Sequence, residues 1–354
     1  MAFELERRLE TPLSVQVVVT VGSIVLALLL GSVLLAMVGV HPMEAYPSVG
    51  ALIFFDQWGW QDLFLKMTPL LLTGLGVAIA AQLNLWNIGA EGQLYLGAIA
   101  TTWLAIEYSE VLDAHFMLPI LLIGTFVAGG MWAAIPAGLR SWFGVNEIIT
   151  TLLLNYVAIS LADYLLYGAW RDPSTLNFPM TRSFGESSYL PMIGSTTVHW
   201  GLPLGIILAV LTWVLLKSTT IGFQIRVAGD NLSAADYAGF NTKNLLFIVL
   251  ILSGAVAALA GMTEVAGVHH RLQQNFSINY GYTGIIVSRL ARNHPIGVIG
   301  TAFLLAVIFV GGELLQVEYQ LPIAVVYLFE GLLLFTVIGS ELFLSYRLRR
   351  RVAV

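Results

Sequence analysis

Apolar residues along the chain fall in long blocks, not in the two-residue alternation of a strand or the one-sided stripe of a surface helix. The blocks lie at 13–40, 68–83, 88–106, 116–139, 148–167, 202–216, 245–265, 282–290, 296–315 and 323–343. A helix needs about 20 apolar residues to cross a bilayer. Most blocks approach that length. The block at 282–290 is too short to cross as a straight helix, and its Gly-rich approach predicts a broken or tilted one. The pattern therefore predicts an all-α, polytopic helical bundle of about ten transmembrane helices, forming a single domain over 1–354. The first block follows a polar start with Arg7 and Arg8. It is longer than the core of a secretory signal and lacks a clear cleavage site, so it reads as a retained helix.

Charge gives the bundle an orientation. If the chain starts inside and crosses ten times, Lys66, Arg171, Arg182 and Arg271 fall outside and the other 12 of the 16 Lys and Arg residues fall inside. Positive-inside bias then predicts that both termini are cytoplasmic. Composition adds exclusions: 58% of the 354 residues are hydrophobic and 10% charged. That argues against a soluble enzyme, a disordered chain and a nucleic-acid binder. The formal charge of −5 adds little, and with no cysteine there is no thiol chemistry.

Two connections are long. The outer one, 170–199, carries Pro173, Pro179 and Pro191 and reads as an irregular lid. In the inner one, 217–244, Asp230 or Asn231 suits a helix N-cap, Leu232, Ala235 and Ala238 recur at helical spacing, and Gly239 suits a left-handed helix end. The product is a two-turn helix, which either docks in a groove of another protein or serves as a solvated connector.

Several phrases carry a family resemblance: Asn87-Ile-Gly-Ala-Glu-Gly-Gln93, Asn146 to Tyr156, Ala235-Asp-Tyr-Ala-Gly-Phe-Asn241, and Gly281 to Pro295 with its Arg-Asn-His-Pro ending. The chain resembles the permease subunit of bacterial ABC importers, in the branched-chain amino acid, ribose and nucleoside branch, and is most similar to the nucleoside (basic membrane protein) systems. The resemblance implies a permease for a nucleoside or related purine- or sugar-like solute in the bacterial inner membrane. It implies as partners ABC ATPase subunits, a second permease chain and an extracytoplasmic solute-binding protein. It also implies that Ala235, Asp236, Tyr237, Ala238, Gly239 and Asn241 form the ATPase-coupling segment. No phosphate-binding Gly-x-x-x-x-Gly-Lys-Ser/Thr loop occurs. ATP and Mg would thus sit on partner subunits, and this chain would be no enzyme and bind no cofactor.

Polar residues in or beside the blocks are pathway candidates, because such groups rarely face lipid. Asn87, Glu91, Asn155, Tyr156, Tyr282 and Glu330 are selected. Asn87, Glu91 and Gln93 either hydrogen-bond a hydroxylated solute or bind helices to one another. Asn155 has the same two readings. Tyr282 either stacks on a nucleobase or belongs to an interfacial aromatic belt. Outside, His269, His270 and Arg271 either touch the binding protein or lie on a solvated surface, and an adjacent His pair is a poor metal motif. The competing function is an ion-coupled secondary transporter of a small polar solute, served by the same carboxylates.

Overall fold

The computed structural model describes residues 3–7, 12–176, 178–340, 342–343 and 346–350. It is helical apart from one two-stranded antiparallel pairing, β1 (Phe3–Arg7) with β2 (Tyr346–Arg350). The helices are α1 (Leu13–Met37), α2 (Pro42–Phe55), α3 (Gln57–Ala81), α4 (Ala90–Tyr108), α5 (Ala114–Phe143), α6 (Glu147–Tyr167), α7 (Gly201–Ser218), α8 (Thr220–Asp230), α9 (Leu232–Tyr237), α10 (Thr242–Glu264), α11 (Tyr280–Leu290), α12 (Pro295–Tyr319) and α13 (Ile323–Gly339). Six are long and apolar enough to cross a membrane, and α1 with α2 makes a seventh candidate, bent by 116°. Every apolar block of the sequence lies on a helix.

The chain divides into two compact units: Met1–Trp60 with Val307–Val354, and Gln61–Ala306. In the first unit, Gly39 at φ +85° ends α1 and Pro42 opens α2. The sequence pattern missed α2, because Glu44 and Pro47 interrupt its apolar run. Ala45, Val49 and Ile53, at four-residue spacing, form its buried face. Helix α3 likewise starts at Gln57 rather than near 68, since Gln61, Asp62 and Lys66 dilute its first turns.

The second unit is organised around α10, which is buried nearly throughout and packs on α4 and α5. Small residues permit this. Gly97 of α4 lies against the carbonyl of Ala258, and Gly261 of α10 lies against that of Leu94. A side chain at either position would push the backbones apart. Helices α5, α6 and α7 instead display large apolar residues such as Phe116, Ile123, Leu153 and Leu211 outward. Small residues thus set the closest helix approaches, while leucines such as Leu94, Leu250 and Leu259 fill the space around them.

Helix α10 ends in a π-helical turn, Val265–His269, and His270 then adopts a left-handed conformation. Residues 271–279 are non-helical and lead into the short α11. At 1.5 Å per residue α11 is about 16 Å long, half the hydrocarbon thickness. The broken eighth segment expected from the sequence is thus an irregular, turn-containing stretch followed by a half-length helix.

Candidate functional site

The polar residues selected from the sequence meet where α3 gives way to α4. Asn84 at φ +56° stops α3, and residues 85–89 are non-helical. Asn87 then uses its whole amide. Its Nδ2 donates to Gln93 Oε1 and Ser253 Oγ, both at 2.8 Å, while its Oδ1 accepts from Gly89 N at 3.0 Å and Gln93 Nε2 at 3.1 Å. Ser253 Oγ passes the chain on to the Gly76 carbonyl at 2.6 Å. Asn87 is 1% exposed. A buried amide with every donor and acceptor satisfied joins α3, α4 and α10.

Glu91, in the first turn of α4, serves the start of another helix. Its Oε1 accepts from Ser277 Oγ at 2.7 Å and its Oε2 from Gly281 N at 2.6 Å. The first N–H groups of a helix have no partner within it, and a carboxylate there is electrostatically favoured. Glu91 thus caps α11 from outside. The approach is close enough that Gly281 packs directly on the Glu91 backbone, leaving no room for a Cβ. Thr73 of α3 holds the same end, donating to the Tyr280 carbonyl at 3.1 Å.

Asn155 of α6 completes the cluster. It accepts from Gly92 N at 2.8 Å and donates to the Ile88 carbonyl at 2.8 Å and to Tyr282 Oη at 3.2 Å. The structure therefore brings Asn87, Glu91, Asn155 and Tyr282 together. Tyr156 follows Asn155 but is 62% exposed. Glu330 belongs to the other unit, half-buried on α13 against Gly312. Sequence reasoning missed Thr73, Ser253 and Ser277. Small hydroxyl residues in apolar helices carry no spacing signal, and their partners are distant in sequence.

The irregular stretch before α11 presents a second polar surface. Gln274, Asn275 and Asn279 are exposed, whereas Phe276 and Ser277 are buried. Phe276 packs on Tyr95, with ring centroids 4.8 Å apart. Tyr167 Oη donates to Gln274 Oε1 at 3.3 Å, which joins this stretch to α6. Helix α6 exposes Tyr156, Ser160, Tyr164 and Tyr167. Of these hydroxyls and amides the sequence selected Tyr156, and the Tyr167–Gln274 bond is the contact that joins the two elements.

The loop at 217–244 is built from three successive capped helix starts. Thr219 Oγ1 accepts from Gly222 N at 3.0 Å, Asn231 Oδ1 from Ala234 N at 3.1 Å, and Asn241 Oδ1 from Asn244 N at 3.1 Å. The sequence predicted the second cap and missed α8. Helix α9 closes as expected at Gly239, φ +84°, with Phe240 N donating to the Ala235 carbonyl and Gly239 N to that of Asp236, both at 3.0 Å. Asp236 accepts from Thr242 Oγ1 at 2.6 Å, tying α9 to α10. Of the small apolar face expected from Leu232, Ala235 and Ala238, only Ala235 is buried, and Tyr237 is 96% exposed. The two-turn helix stands on one buried alanine and turns the rest outward.

At 170–199 the chain is irregular, as expected, with short 3₁₀ turns at Pro173–Thr175 and Glu186–Ser188. It is stitched to the segment after α10 by Thr181 N to Leu272 O, Phe184 N to His270 O and Leu190 N to Ala266 O, each 2.9–3.0 Å. His270 stacks on Tyr189 at 3.8 Å, and His269 Nε2 lies 3.6 Å from buried Glu264. The Tyr189 stack ties His270 to the 170–199 loop, while His269, His270 and Arg271 remain partly exposed. His199 is buried, its Nδ1 accepts from Gly201 N at 3.1 Å, and its Nε2 has no partner. Burial, and then the neighbouring His270, lowers its pKa to about 4.

Residues 59–338 match the family described as branched-chain amino acid transport system / permease component. The glucose ABC transporter permease protein of Haloferax volcanii is 37% identical, covering 92% of this chain and 88% of that protein. The guanosine ABC transporter permease protein of Bacillus subtilis is 30% identical, covering 86% and 88%. The nucleoside ABC transporter permease protein of Lactococcus lactis is 28% identical, covering 84% of each. With a match over most of its length and a multi-helix membrane architecture, the chain belongs to this family of ABC permease components: it is a transport subunit, not an enzyme, and ATP hydrolysis resides on a separate subunit.

Proposed function

We propose that the chain forms the translocation pathway for a nucleoside or sugar-like solute, and that the exposed polar wall of α6 and residues 274–282 faces that pathway. The observation that carries this is the non-helical, amide-bearing stretch at 274–279. Non-helical backbone at membrane depth is tolerated only where it is buried in protein or lines a water-filled cavity. Hydroxyl and amide groups suit a solute rich in hydroxyls, such as the glucose and guanosine of the relatives' names. Tyr156 and Tyr282 touch the solute, while Asn87, Glu91 and Asn155 position them. An ion-coupled mechanism has no free carboxylate in Glu91, since both its oxygens are engaged.

Ten crossings with both termini cytoplasmic are supported by two features. The eighth segment begins bonded to the 170–199 loop, through Thr181 and Leu272. It ends bonded to the far end of α3, where Gln82 Nε2 donates to the Asn293 carbonyl at 2.7 Å. In addition, β1 pairs with β2, the arrangement that an even number of crossings with both ends on one side would give. The loop at 217–244 then lies in the cytoplasm and offers α9 to an ATPase subunit, which holds ATP and Mg. A second permease chain and an extracytoplasmic binding protein complete the assembly, in the bacterial inner membrane.

The test is uptake of labelled guanosine and labelled glucose by proteoliposomes holding the purified complex. ATP-dependent entry of either solute is expected. Entry by this chain alone without ATP, or entry of neither solute, overturns the reading.

A further inference from the structure

Three cations from three elements line one cavity of about 540 Å³: Lys217 at the end of α7, Arg226 on α8 and Arg292 in the turn between α11 and α12. Trp213, Asp230 and His294 share the lining. All three cations are exposed, and no ion pair joins them to a carboxylate among the described residues. The walls are fixed to one another: Asn84 Nδ2 donates to the Gly229 carbonyl of α8 at 2.6 Å, and Gln82 holds Asn293 beside Arg292. Positive-inside bias accounts for basic residues at the ends of spans, but not for their convergence from three elements on one concavity.

The cavity adjoins an exposed apolar face of α7. Lys217 Nζ sits 4.8 Å from the Trp213 ring centroid. Along the same helix, Val214 and Val210 lie one and two turns before Lys217 on its side, and both are exposed, with Leu211 and Ile207 beside them. An apolar helix face thus runs into a basic pocket, with Trp213 where the two meet.

We infer that this pocket binds the headgroup phosphate of an anionic phospholipid, held by Lys217, Arg226 and Arg292, with the acyl chain laid along α7. Basic pockets between spans recognise such headgroups by charge-assisted hydrogen bonds. A free phosphate would use the cations but not the apolar face. The site is independent of which solute is transported.

The test uses the purified full chain in detergent, titrated with phosphatidylglycerol, phosphatidylcholine of the same acyl chains, or inorganic phosphate. Native mass spectrometry reads retention. Phosphatidylglycerol is expected to be retained preferentially. Affinity should fall about fivefold for each cation removed, and about a hundredfold in Lys217→Gln/Arg226→Gln/Arg292→Gln, whose lipid-free melting temperature should stay that of the parent. Asp230→Asn should tighten retention, a gain that misfolding cannot imitate. Equal binding of the two lipids, undiminished phosphatidylglycerol binding by the triple variant, or saturation by inorganic phosphate alone each overturns the inference. So does loss of ATPase-subunit binding by the triple variant with its lipid binding intact, which would make the pocket a protein interface.

Discussion

The Asn87–Glu91–Asn155 cluster and the α9 turn use the same residue types, with Asn, an acidic residue and Gly in both, yet they treat their surroundings in opposite ways. In the cluster every polar atom named is satisfied within the protein, and Glu91 is 2% exposed. In α9, Asn231 and Gly239 satisfy the helix's own ends, Asp236 makes one bond to Thr242 at the start of α10, and Tyr237 is left bare. The first arrangement fixes a discontinuous helix inside the membrane part. The second fixes a short helix so that its outer face stays available. A helix of this length has little stability of its own, so its caps and its single buried Ala235 hold a shape that a partner can use.

The sharpest break in this comparison comes from Gly281. A Leu there would drive into the Glu91 backbone, separating α11 from α4. We expect Gly281→Leu to give no folded permease, read as loss of a monodisperse peak and of a cooperative melt. Gly239→Leu lies in open space, and there only the left-handed backbone is strained. It should fold and melt at a slightly lower temperature. Similar losses at both glycines would remove the distinction between a packed lock and a presented turn.

His199 tests what happens when a buried polar group lacks the satisfaction seen in the cluster. Its folded-state pKa of about 4 lies below the ordinary 6.5, so the folded protein favours neutral imidazole. Above pH 6.5 neither state carries the proton and the stability is complete. As pH falls from 6.5 to about 4 the unfolded state gains the proton first, and up to about 3 kcal/mol is lost. Melting followed across that window should show the decline in the parent and a smaller one in His199→Gln. Parallel profiles would place the acid sensitivity elsewhere.

Much of this was legible in the chain. Apolar blocks located ten of the helices, since membrane helices advertise themselves by composition. Asn231 and Gly239 marked the ends of α9, because caps are local in sequence. Asn87, Glu91 and Asn155 stood out as polar groups in apolar runs, but their roles depended on Ser253, Ser277 and Gly281, which lie over a hundred residues away and have no local signature. Helix α2 was hidden by its prolines and Glu44, and the wall at 274–279 became visible only when α11 proved to be half a span. Local rules were readable; the long-range pairings that decide whether a polar residue locks or lines were not.

Tyr237 carries the next prediction. Because it is exposed, Tyr237→Ala should leave the melt within about 0.5 kcal/mol of the parent. As an aromatic anchor of an interface it should weaken ATPase-subunit binding about thirtyfold, or ~2 kcal/mol. Asp236→Ala should act in the same direction, with a small loss of stability from the Thr242 bond. Unchanged binding and uptake in both would make the loop a plain connector.

The smallest effect separates the lock from the wall at a single step in sequence. Asn155 and Tyr156 are neighbours, one buried and bonded on all sides, the other turned outward. Asn155→Ala removes an acceptor from Gly92 and a donor to Ile88, so melting temperature and transport should fall together. Tyr156→Phe removes one exposed hydroxyl and nothing internal. Its melt should match the parent, and if the hydroxyl bonds solute the half-saturating concentration should rise about threefold, in line with a hydrogen bond worth ~0.6 kcal/mol. The maximal rate should stay the same, since the coupling loop is untouched. A threefold rise without loss of stability makes Tyr156 part of the pathway. No change at Tyr156 together with a rise at Tyr282→Phe would move the wall's solute contacts to the α11 side, where the hydroxyl is already shared with Asn155.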